Sequence, residues 1–78
     1  MDSGDMRTMI NYQLLKTSDV ELNIFNVLGQ KVATLVSKKQ DAGYHQVEWN
    51  ASRFASGIYY YRIEAGNFVQ TRKMIYLK

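Results

Sequence analysis

The sequence predicts an all-β domain, a small antiparallel sandwich or barrel of about six strands. Three observations carry that expectation. Apolar residues alternate with polar ones along most of the chain, at the period of a pleated strand. Turn signals break the alternation at intervals of about 8 to 14 residues. No segment shows helical periodicity. At 78 residues there is room for a single domain with a modest core.

The first strand is expected over Thr8 to Leu14, with Ile10, Tyr12 and Leu14 on one face. Lys16-Thr17-Ser18-Asp19 is a polar break. The second strand covers Val20 to Asn26, and Val20, Leu22 and Ile24 point together. The next turn, Asn26-Val27-Leu28-Gly29-Gln30, is oddly apolar at its tip. Asn26 suits the opening position, where its side chain can bond the backbone ahead. Gly29 supplies a left-handed residue at no steric cost. The turn itself does not require Val27 and Leu28 to be apolar, so they are expected to pack on the end of the sandwich or on a partner.

The third strand runs from Lys31 to Ser37, with Val32, Thr34 and Val36 on one face and Ala33 and Leu35 on the other. Lys38 to Gly43 reads as a loop. In the fourth strand, Tyr44 to Trp49, His45, Val47 and Trp49 share one side, and Tyr44, Gln46 and Glu48 the other. Asn50 to Gly57 is the longest irregular piece. A fifth strand spans Ile58 to Ala65, with Tyr59 and Tyr61 beside Ile63 and Tyr60 beside Ile58 and Glu64. Ala65-Gly66-Asn67 is a tight turn into a sixth strand, Phe68 to Leu77. Proline is absent, so lysine and arginine on the last strand are the available means of blunting an edge.

Composition excludes several kinds of chemistry. Without cysteine there is neither a disulfide nor a thiolate metal site, and the single histidine, His45, rules out multi-histidine metal sites. A net charge of +3, spread over scattered basic residues, suits a solvated surface and not a nucleic-acid footprint. No apolar run is long enough to span a bilayer as a helix. His45 alternates with Val47 and Trp49 and reads as a structural histidine; Asp41 and Glu48 lack the spacing of an acid pair. Asn50-Ala51-Ser52 fits a glycosylation sequon, a pattern with many chance matches. The aromatic residues offer one binding alternative, a carbohydrate platform of Tyr44, Trp49 and Tyr60, set against ordinary cross-strand packing. No catalytic residue and no cofactor is expected.

Several segments in order carry a resemblance: "Y.L" at Tyr12 and Leu14, "V.L.I.N..GQ.V..L" from Val20 to Leu35, "AG.H.V.W" from Ala42 to Trp49, "SG.Y.Y" from Ser56 to Tyr61, and "KM...K" at Lys73, Met74 and Lys78. The chain from Thr8 to Lys78 resembles the C-terminal sorting domains of the type IX secretion system. These sit within a broader Ig-like set that includes a domain of the flagellar hook-capping protein. The resemblance implies an Ig-like β-sandwich of about six to seven strands over residues 8–78, with residues 1–7 a linker remnant. It implies a non-catalytic address on a larger secreted protein of Bacteroidetes or relatives. Such cargo is often a polysaccharide hydrolase, protease or adhesin.

The implied partners are the type IX translocon, a sortase-like peptidase that removes the domain, and the covalently attached upstream cargo. The implied route runs through the periplasm to the cell surface or the exterior. Recognition is expected from Arg72, Lys73 and Lys78, with Gly29, Gly43 and Gly57 fixing strand ends. Two departures stand out. Residues 1–7 lack the proline-rich lead of relatives, and Leu14-Leu15 replaces a common "LP". That leaves the first strand's end without a proline and makes a homo-oligomer through edge strands an expected alternative.

Overall fold

A computed structural model describes residues 7–77. It contains six strands: β1 (Arg7–Leu14), β2 (Ser18–Phe25), β3 (Lys31–Gln40), β4 (Gly43–Asn50), β5 (Gly57–Ala65) and β6 (Phe68–Tyr76). All pairings are antiparallel. β1 and β4 form a two-stranded sheet, and the other four form a second sheet in the order β3-β2-β5-β6. The expected all-β sandwich is therefore present, with six strands.

The apolar side chains of the two sheets meet in one core. Ile10 and Leu14 of β1, Val20, Leu22 and Ile24 of β2, Val36 of β3, Trp49 of β4, and Tyr59 and Ile63 of β5 are all buried. These are the inward faces that alternation marks in β1, β2, β4 and β5. At one end the core is aromatic. Trp49 lies 5.2 Å from Tyr59 and 5.4 Å from Phe54 between ring centroids, and Tyr76 closes the cluster at 6.1 Å. Tilted and edge-on ring pairs of this kind add a little to their large buried area.

β3 departs from the expected alternation. Its register against β2 slips twice: Leu22 faces Val36 but Asn23 faces Thr34, and Ile24 faces Ala33 but Phe25 faces Lys31. Leu35 and Val32 are the extra residues, and each bulge resets which face the chain presents. Opposed residues share a face, so Val36 and Ala33 point inward while Thr34 joins Asn23 on the outside. The expected set of Val32, Thr34 and Val36 is thus divided. β3 also runs three residues past Ser37, because Lys38, Lys39 and Gln40 pair with Val20, Asp19 and Ser18. Backbone bonds to β2 hold a segment that has no apolar signal of its own.

Asn23 is 2% exposed although it lies on the outer face. Thr34 Oγ1 donates to its Oδ1 at 2.7 Å, which satisfies that buried oxygen. The β5–β6 turn has two central residues, Gly66 and Asn67, with φ +61° at Gly66 and no positive φ at Asn67. That is the II′ pattern, whose twist matches the flanking strands.

Candidate recognition surfaces

The apolar turn between β2 and β3 is built on one side chain. Asn26 Oδ1 accepts from the backbone N–H of Leu28 at 2.9 Å and of Gln30 at 3.0 Å, while Nδ2 donates to Gln30 Oε1 at 2.8 Å. Backbone bonds from Gly29 N to the Asn26 carbonyl and from Asn26 N to the Gln30 carbonyl close the loop, each at 3.0 Å. Gly29 has φ +82°, and a Cβ there would meet nothing within 4 Å, so only backbone conformation selects glycine. Val27 and Leu28 are 64% and 79% exposed. They do not pack on the end of the sandwich; the turn holds them out into solvent.

Arg72 and Lys73 are neighbours in sequence but project to opposite faces of the four-stranded sheet. Lys73 pairs with Tyr60, and Tyr60 with Phe25, so the three form a row across its outer face. The Arg62 guanidinium lies 5.1 Å over the Phe25 ring, and its Nε is 3.1 Å from Glu64 Oε2. Ile58 and Ile75, opposite each other in the next row, are exposed. Arg72 pairs with Tyr61 on the inner face and is exposed. Lys78 lies outside the described residues. Gly43 and Gly57 open β4 and β5, with φ +128° and +154°.

The three aromatic residues of the possible carbohydrate platform sit on three different surfaces. Trp49 is 2% exposed, inside the core. Tyr44 is 84% exposed on the outer face of the two-stranded sheet, and Tyr60 is half-buried on the outer face of the other. No single plane joins them. His45 stacks on Tyr12 at 5.4 Å and 21°, and its Nε2 is 2.7 Å from the Asp41 carbonyl oxygen, so Nε2 carries the hydrogen. The Tyr12 hydroxyl donates to Gln40 Oε1. Burial pushes the Tyr12 pKa above its usual value. In the sequon, Asn50 Oδ1 accepts from Ser52 N at 3.1 Å. Among the described residues no group of three His, Cys, Asp or Glu side chains is placed to hold a metal.

Sequence reasoning missed Asn23, Phe68 and Gln70. The burial of Asn23 follows from its neighbours across the sheet, and the inward setting of Phe68 and Gln70 follows from pairing with Ala65 and Ile63. Local pattern carries neither signal.

Most of the aromatic rings lie in or against the core, and the faces, edges and turn tips of the sandwich are left to the outside. The family model of the secretion system C-terminal sorting domain matches residues 6–77, and the chain belongs to that family. It is a non-catalytic tail of the type IX secretion system, the signal by which an attached cargo protein is secreted across the outer membrane. Its partners are therefore that system's machinery and the cargo. No curated protein and no solved structure matches the chain.

Proposed function

We propose that residues 8–78 act as a folded address read in the periplasm, and that residues 1–7 link it to the cargo. The translocon reads the four-stranded sheet through the last strand, where Lys73 offers charge on the outer face and Arg72 on the inner. Lys78 extends that basic character. Gly29, Gly43 and Gly57 act indirectly, by fixing where strands begin and turns close. After passage a sortase-like peptidase removes the domain, and the cargo stays at the cell surface or is released.

The observation that carries this reading is the outer-face row Phe25–Tyr60–Lys73, with Arg62 over Phe25. Cations beside aromatic rings on a solvated sheet form a ready contact surface for a protein partner. The test places residues 8–78 behind a fluorescent reporter in a host with an active type IX system. The reporter is expected outside the cell, and in the periplasm when residues 68–78 are deleted. Lys73→Glu should reduce export while the domain stays folded. Periplasmic retention of both the full and the truncated fusion would overturn the sorting role.

A further inference from the structure

The two sheets are unequal, and the shortfall lies over β6. Phe68, Gln70, Arg72 and Met74 pair with Ala65, Ile63, Tyr61 and Tyr59, so they share the inner face of the four-stranded sheet. β1 is the strand of the small sheet nearest to them: a cavity of about 400 Å³ is lined by Tyr12 and Leu14 above and by Ile63, Phe68, Gln70 and Arg72 below. β1 pairs only with β4. Its other edge is a row of backbone donors and acceptors with no strand beside it. Near Tyr76 the inner face of β6 is buried, but toward Phe68, 53% exposed, it lies open.

We propose that this opening is a vacant strand position, filled by an extended segment of a separate protein with an acidic residue over Arg72. The segment pairs with the free edge of β1 over Asn11–Leu14 and covers Phe68–Arg72, a length of about 17 Å or five residues. Strand addition of this kind takes affinity from main-chain bonds and selectivity from alternate side chains. The floor defines those side chains. Phe68 asks for an apolar group, Gln70 for a polar one, and Arg72 for a carboxylate.

Arg72 is prepared for that role. With its amide oxygen turned toward the guanidinium, Gln70 accepts from Nη2 at 2.9 Å, which orients the fork. No carboxylate pairs with Arg72 among the described residues. A planar guanidinium held in place and left without a counter-ion favours a carboxylate geometrically as well as by charge.

A second copy that offers its own β1 edge fits less well: it brings β5 and β6 beneath that strand, and they need the space that β6 fills here. A lone segment from another protein avoids that overlap, and an acidic one answers the unpaired charge of Arg72.

The probe is a seven-residue peptide, acetylated and amidated, with valine and glutamate four positions apart and threonine elsewhere. Its counterpart carries lysine in place of the glutamate. Both are titrated at low salt into the full 78-residue chain, followed by backbone amide NMR and hydrogen exchange. The glutamate peptide is expected to shift and protect amides of Asn11–Leu14 and to bind about fivefold tighter than the lysine peptide. Arg72→Glu should invert that preference, while Lys73→Glu, on the opposite face, should leave it within about twofold. Arg72 is exposed, so the variant keeps its fold, which the same spectra check.

Lack of binding, shifts elsewhere, or a preference that ignores Arg72 would each overturn the proposal. So would protection of the β1 edge without peptide: rising with protein concentration it assigns the place to a second copy, and independent of concentration to the chain's own upstream residues. Export does not enter this measurement, so failure here leaves the sorting role standing.

Discussion

Replacing Asn26 by alanine removes three hydrogen bonds from a five-residue turn at once. Each is solvent-accessible, so each contributes near the lower end of the usual net range, about 0.5 kcal/mol or slightly more. The three together give about 1.5–2 kcal/mol. A domain of 78 residues has roughly 4–12 kcal/mol in all, so the loss is a large share. Its thermal midpoint should fall by about 6–16 °C.

Asn26→Asp separates the contributions. Its carboxylate still accepts from the N–H groups of Leu28 and Gln30 and loses only the donor to the Gln30 side chain, so it should cost about 0.5 kcal/mol. Leu28→Ser, at 79% exposure, should leave stability within about 0.5 kcal/mol. Urea unfolding followed by Trp49 fluorescence measures all three, because Trp49 is buried in the native state and hydrated in the unfolded one. If alanine and aspartate cost the same, or alanine costs less than about 0.5 kcal/mol, the Asn26 side chain does not organise the turn.

Further outcomes follow from the interior. Thr34→Val strands the buried Asn23 oxygen and should cost about 1–3 kcal/mol; adding Asn23→Val should recover part of that loss in a double-mutant cycle by urea unfolding. Leu22→Ala, at a fully buried position, should cost about 2–5 kcal/mol and bring the domain close to unfolding at 37 °C, as thermal melts would report. The raised Tyr12 pKa favours the folded state while the phenol is neutral. Its contribution is complete below the unfolded tyrosine value of about 10 and is lost as pH rises through the higher folded value. Alkaline denaturation should therefore flatten in Tyr12→Phe relative to the parent chain.

Strand positions and inward faces were legible wherever one face alone is buried. Val20, Leu22 and Ile24, or Tyr59, Tyr61 and Ile63, announce their side by alternation, and the turn at Asn26 and Gly29 announces its geometry by residue type. β3 was not legible in the same way. Its bulges at Val32 and Leu35 depend on the partner strand, and its extension to Gln40 depends on backbone bonds that no side chain advertises. The residues proposed for recognition illustrate the same divide. Arg72 and Lys73 read as one basic pair in the sequence, yet the pleat sends them to opposite faces, and only pairing with β5 tells which is which. The opening over β6 lay beyond any local reading, because it arises from a mismatch in width between the two sheets.

The strand order carries a consequence for timing. β5 lies at the centre of the large sheet, between β2 and β6, although it is fifth in the chain. β2 therefore waits for residues 57–65 before its second partner exists, and the Phe25–Tyr60–Lys73 row waits for β6. A chain that stops before β6 lacks Lys73 and with it that row, so the surface proposed above for recognition is complete only once the last of the six strands has been made.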